Sequence, residues 1–257
     1  MLLLGAGPRA LLLQLAHPLV AAGVADHSDF RADPWRRLRA TLRSYLTIVY
    51  GTTTAARAEI RRLNELHRSI AGSGYRARDP DLSLWVHATL VDTTIVAHDA
   101  WIEPLDRHRR ARYYAETLPI GRAFGVPADI LPPDLVAFES YVEAMIAPGG
   151  PVRVSAVGRE LADAVLHPPL GPIVPALAGV PPAVYSWTLW PAVGLLPEAV
   201  RIDYGFRWGP LERAGAAWLV AGWRVWRPIL PPSFRQMPHA LAADRRIAAG
   251  GDPQRGQ

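Results

Sequence analysis

Apolar residues recur along this chain at spacings of three and four, the period of a helix with one inward face, and no series of alternating five-residue strands with hairpin turns interrupts them. The pattern predicts an all-α fold. A first helix is expected over residues 8–24, with Pro8 suited to a first-turn position where no amide hydrogen is required. A second begins at Asp33-Pro34 and continues to about Tyr50. After the break at Gly51-Thr52-Thr53-Thr54, a third covers residues 55–71 and stops at Gly72-Ser73-Gly74. Asp79-Pro80-Asp81 opens a fourth that extends to about Trp101. Further helices are expected near residues 106–124, 133–146, 157–166, 197–205, 211–226 and 232–249, joined by long Pro/Gly-rich connections. No fixed-period repeat points to a solenoid. Residues 1–249 read as one helical-bundle domain, because the segments flanking the Pro148-Gly149-Gly150-Pro151 loop are each too small for an independent core; residues 250–257 read as a disordered tail.

Half of the residues are hydrophobic and 20% are charged, so the chain can bury enough apolar surface to offset its conformational entropy. The absence of cysteine excludes disulfides, thiolate metal sites, iron–sulfur clusters and cysteine nucleophiles. A formal charge of +5 invites a nucleic-acid reading, but the 28 basic residues are all arginines spread among acids, without a basic block. No nucleic-acid partner is expected. The apolar opening lacks a cationic leader and is interrupted by Arg9, His17 and Pro18, so it reads as a mature helix rather than a signal segment. Residues 164–196 contain no Asp, Glu or Arg, yet seven prolines would break a spanning helix there. A cytoplasmic protein is expected, with peripheral membrane contact through residues 164–196, Trp223 and Trp226 as an alternative; oligomeric state is not readable.

Gly5-Ala6-Gly7 mimics the start of a dinucleotide fingerprint, but no strand precedes it and no parallel-strand pattern follows. The sequence also lacks the HExxH motif, the Glu-x-x-His pair of helical di-iron sites and a Gly-x-Ser-x-Gly elbow, which leaves histidine as the informative residue type. Ile60, Leu63, His67 and Ile70 form one apolar stripe; Leu84, His87, Val91, Ile95 and His98 form another, with Asp92 and Asp99 on flanking faces. A lone histidine on such a stripe is usually a core residue bonded to a carbonyl. Two such stripes favour a flat apolar slot with an imidazole in its wall, the environment that haem iron uses. On the preceding helix Leu38, Leu42, Tyr45, Leu46 and Val49 line the apolar face, with Arg37 and Thr41 one turn apart at its edge.

Arg37-Leu38-Arg39-Ala40-Thr41 and Leu66-His67-Arg68-Ser69-Ile70-Ala71-Gly72 resemble the Arg-x-x-Lys-Thr and Leu-His segments of latex clearing proteins. Gln14-Leu15-Ala16-His17-Pro18, His27-Ser28-Asp29-Phe30, Asp79-Pro80-Asp81-Leu82 and Trp85-Val86-His87-Ala88-Thr89-Leu90 are similar to shorter MpaB-type members of the same family. The resemblance implies a haem-b-dependent oxygenase that uses dioxygen on an apolar terpenoid, lipid or hydrocarbon-like substrate. It implies His67 as the axial iron ligand, with His87 as the rival, and Arg37 and Thr41 as the catalytic polar pair on the opposite side. Arg9 and His17 become candidates for the propionates or for substrate, with a surface salt bridge as the alternative for Arg9. Latex clearing proteins carry a lysine where this chain has Ala40, so the resemblance implies an open distal position and leaves polyisoprene in doubt. A haem- or lipid-binding protein without turnover is the competing reading.

Overall fold

α1 (Leu2–Leu15) is apolar on nearly every side, as a fully buried helix must be, and it threads the middle of the molecule. The structure, a computed structural model, describes residues 2–27, 34–167, 180–181, 186–231 and 236–250, and within them all side chains except those of 2–4 and 34–39. α1 lies antiparallel to α5 (Pro80–Trp101). Gly5 rests on the Trp101 ring, Arg9 reaches Asp92, and the Leu13 carbonyl accepts the Trp85 indole N–H at 3.2 Å. Gly5 and Gly7 are thus helical residues, not a phosphate-binding turn.

The single helix expected over residues 8–24 is instead two. α1 starts at Leu2, with Pro8 inside it, and α2 (Pro18–His27) leaves at 104° after a break at Ala16-His17. The cause is Pro18: it has no N–H to donate, its ring disfavours a helical His17, and it is well placed as the first residue of a new helix. Among the described residues no single helix is long and apolar enough to cross a membrane.

α3 (Pro34–Tyr50) and α4 (Thr53–Arg68) form an antiparallel hairpin with Thr52 as N-cap of the second helix. The Ser44 hydroxyl donates to Glu59 at 2.5 Å across the pair, and Arg62 also donates to Glu59. The Arg62 guanidinium, followed by Ser44, holds the Glu59 carboxyl down at about 2. α4 ends at Arg68 rather than running to residue 71. Beyond it β1 (Ala71–Gly72) and β2 (Tyr75–Arg76) make a minimal antiparallel ladder around Ser73-Gly74, where Gly74 takes a φ of 80°. Tyr75 is buried there and its hydroxyl donates to Asp26 at 2.7 Å, tying the ladder to α2.

The remaining helices follow the expected bounds closely: α6 (Arg107–Ala123), α7 (Leu135–Ile146), α8 (Ala156–Leu166), α10 (Glu198–Tyr204) and α11 (Pro210–Trp226), with a short α9 (Trp190–Gly194) among them. The last, α12 (Pro238–Ala248), begins later than residue 232; residues 232–235 and the expected tail from 251 lie outside the described residues. The main core gathers Leu12, Leu13, Trp85, Leu161 and Val200 around α1, and a second cluster joins Val91 and Ile95 of α5 to Tyr114 and Phe138 of α6 and α7. Tyr204 fastens α10 to the centre by donating to the Leu12 carbonyl at 2.7 Å.

Candidate functional site

The face of α5 turned away from α1 carries His87 and, two turns on, Thr94. α6 meets it with Gly121 and Tyr113. The His87 ring lies against Gly121 so closely that a β-carbon there would sit 3.3 Å from Nε2 and 3.3 Å from a Leu131 methyl. At the other end Tyr113 from α6 and Tyr45 from α3 both lie near the Thr94 side chain, whose hydroxyl donates to the Leu90 carbonyl at 2.9 Å; burial above all raises both phenols.

The α3–α4 hairpin lies over this pair and touches it through side chains. Besides Tyr45 at Thr94, the Asn64 amide of α4 donates to the Ala123 carbonyl at the end of α6, at 2.9 Å. Close backbone packing of the hairpin on α5 and α6 is sparse. Because Ser44 faces Glu59 in the antiparallel hairpin, residues 37–41 of α3 are level with residues 62–66 of α4. Arg37, Thr41 and His67 therefore share the Asn64 end of the hairpin, and Asn64 is anchored two residues beyond the glycine on which His87 rests.

His87 is the most informative group in this arrangement. It is buried, Nε2 has no hydrogen-bond partner, and burial pushes the imidazole down to about 4. It is thus a neutral base whose buried Nε2, packed against Gly121 and close to Leu131, is unused, an exception to the rule that buried polar groups are satisfied. His67 sits half-buried in the last turn of α4, below the buried Ile60. Thr41 is exposed at the edge of α3, as is Ala40; the side chain of Arg37 lies outside the described residues.

Arg9 and His17 are elsewhere, on the α1 side of α5. Arg9 is no surface residue: at 2% exposure its guanidinium is 2.8 Å from Asp92 and donates to Thr93 at 2.7 Å and to the Leu195 carbonyl at 2.8 Å. Its role is to hold α1, α5 and the segment after α9 together, which takes it away from His67. His17 is buried at the α1–α2 corner, Nδ1 is unpartnered, and burial lowers its pKa against the opposing charge of Asp79. Of the flanking acids, Asp92 serves Arg9 and Asp99 serves Arg110 at 2.6 Å. Most of the proline-rich stretch lies outside the described residues; in its described part Trp190 covers Gly215 of α11 and Trp187 is exposed.

Sequence reasoning passed over Gly121 and Thr94. An isolated glycine inside a helix is a recognised sign of close packing, and Gly121 has that signature. Thr94 had none, since its hydroxyl bonds within its own helix to Leu90 and the phenols near it come from two other helices.

Among the described residues, no three or more His, Asp or Glu side chains are grouped to hold a metal ion. A haem iron can be held by a single imidazole and so requires no such group. The donor chemistry present fits that need: an imidazole in the last turn of α4, His67, and on α5 the imidazole of His87, whose buried Nε2 has no hydrogen-bond partner.

No solved structure matches this chain with significance. Two relatives, the uncharacterized proteins Mb2261 of Mycobacterium bovis and Rv2237 of Mycobacterium tuberculosis, are each 27% identical over 232 residues, covering 86% of this chain and 87% of their own length. Residues 1–226 match the family described as the ER-bound oxygenase mpaB/B′ and rubber oxygenase catalytic domain. With that match spanning most of its length, the chain belongs to this family of oxygenases.

Proposed function

We propose that the protein is a haem-dependent oxygenase acting on an apolar substrate, with the cofactor in the slot between the α3–α4 hairpin and α5–α6. The observation that carries this reading is the unpartnered, buried Nε2 of His87, held neutral against Gly121, two residues before the Ala123 carbonyl to which the His67-bearing end of the hairpin is anchored through Asn64. By the family resemblance His67 would hold the haem. When bound, the haem supplies the iron that activates dioxygen.

The remaining work falls to the chain's own side chains. Arg37 and Thr41, one turn apart, supply hydrogen-bond donors for negative charge that develops during oxidation. His87 stays neutral through the physiological range, so it delivers no proton to the reacting groups. Leu63 and Leu131 add apolar surface beside the two histidines, which suits a terpenoid, lipid or hydrocarbon-like molecule and keeps water away from the reacting groups. Ala40, where latex clearing proteins carry lysine, supplies no side-chain amine that could compete for the iron.

The test is oxygen consumption by the haem-loaded protein with an apolar substrate. Substrate-dependent uptake, lost in Arg37→Ala and Thr41→Ala, is the expected result. Haem binding with no uptake for any apolar substrate would make this a carrier and not an enzyme.

A further inference from the structure

α11 has two dissimilar long faces. Val220 and Trp223 turn inward against Ala6, Ala97 and Trp101, and Ala216 is buried with them. The outward face presents Leu211, Ala214, Trp218, Ala221 and Val225, at successive spacings of three and four, all exposed. Ile229 in the 3-10 turn that follows extends the stripe. Leu211, Trp218, Val225 and Ile229 are each between 68% and 71% exposed, far more than a monomer's ordinary surface explains in one continuous line. Trp223, the expected anchor, is thus an inward residue, and Trp218 stands at the surface with Trp226 beside it.

The charges around the stripe have one sign. Residues 205–231 hold four arginines, Arg207, Arg213, Arg224 and Arg227, and a single acid. That acid, Glu212, is folded back to accept the Gly209 amide at 2.8 Å. Arg213 and Arg224 follow one edge of the stripe and donate to the carbonyls of Trp208 and Ala100, at 3.0 and 2.5 Å; Glu212 interacts with Arg207 and Arg213, and the border keeps a net positive charge. Beside the stripe, Arg224 and Arg227 line an open cleft of about 350 Å³ with Trp101, Glu103 and Pro104; Glu103 is itself neutralised by Arg109 at 3.0 Å.

We infer that α11 docks on an anionic lipid bilayer, lying in the interface with Leu211, Trp218, Val225 and Ile229 sunk among the acyl chains and the arginines on the phosphates. An apolar stripe with tryptophans and a cationic border is the composition of an interfacial helix. Charge decides the occupant. Two copies joined by their stripes would set four arginines against four with only one carboxylate from each copy, whereas anionic headgroups complement every one. The inference rests on this surface alone and is independent of the cofactor.

Flotation of the full chain with phosphatidylcholine vesicles, with and without phosphatidylglycerol, tests it. The protein should float with the anionic vesicles and be released by salt. Trp218→Glu with Val225→Glu should abolish flotation while circular dichroism and the unfolding midpoint stay unchanged, since both positions are exposed. Arg224→Gln and Arg227→Gln should each weaken partition about fivefold. No binding of wild-type protein to anionic vesicles, or binding indifferent to the paired glutamates, overturns the inference. A concentration-dependent dimer in sedimentation velocity, dispersed by those glutamates, would also overturn it and give the stripe to a second copy.

Discussion

The imidazole of His87 packs on Gly121 across α5 and α6 so closely that a β-carbon there would stand 3.3 Å from the ring and from a Leu131 methyl, tight enough that a larger side chain must displace them. Gly121→Val should push on both His87 and Leu131 and destabilise the protein by about 1–3 kcal/mol, the usual cost of overpacking. Urea unfolding will show it. Removing the ring should relieve the clash, so the Gly121→Val/His87→Ala double variant should lose less than the two single losses added together.

The burial of His87 fixes the sign of a pH effect. Its folded value, about 4, lies below the ordinary value of 6.5, so between those limits the unfolded chain takes up a proton that the folded chain refuses. Stability present above pH 6.5 is therefore lost as the pH falls toward 4, by about 3 kcal/mol in total. His17 shifts in the same direction and adds to the loss. Urea titrations of the cofactor-free protein at about pH 7 and about pH 4.5 should show a drop that His87→Gln reduces. An equal drop in the variant would contradict the burial assigned to this ring.

Arg9 and Asp92 form a partly buried ion pair, with side chains 3% and 20% exposed. Arg9→Met leaves the carboxylate without its cation and the Thr93 hydroxyl and Leu195 carbonyl without their donor. The expected loss is about 3 kcal/mol, the low end for breaking a buried pair because Asp92 keeps some water. Haem content per folded molecule should be unchanged. Loss of haem under conditions where the variant remains folded would restore the propionate role that the sequence allowed.

Helix positions were legible from Pro, Gly and capping residues to within a few positions over most of the chain, because these residues act locally. The misplacements were also local in origin: His17-Pro18 carried a break that the surrounding apolar run concealed, and the Ser73-Gly74 turn was too brief to show strand alternation on either side. Arg9 illustrates a different limit. A lone cation in an apolar helix looks solvated until its partner is known, and Asp92 is remote in sequence and close only once α1 lies along α5. The imidazoles of the candidate slot were visible from their stripes. What the sequence could not show was that His87 is the one left with an unused buried nitrogen, since that depends on Gly121 and Leu131 closing over it.

Ala40 sets a ligand-binding expectation. Haem-loaded protein should take up imidazole or carbon monoxide without displacing a protein ligand, and Ala40→Lys should slow that uptake by supplying a competing amine. Resonance Raman of the wild type showing six-coordinate low-spin iron with two protein ligands would rule out an open distal position.

The absorption spectrum of the purified or haem-reconstituted protein tests the central claim most directly. The account predicts a Soret band in the wild type, its loss in His67→Ala, and its retention in His87→Ala with weakened turnover. A normal band in His67→Ala together with its loss in His87→Ala would transfer the iron to the unpartnered nitrogen of α5. A wild type that shows no Soret band even after reconstitution would contradict the haem reading altogether.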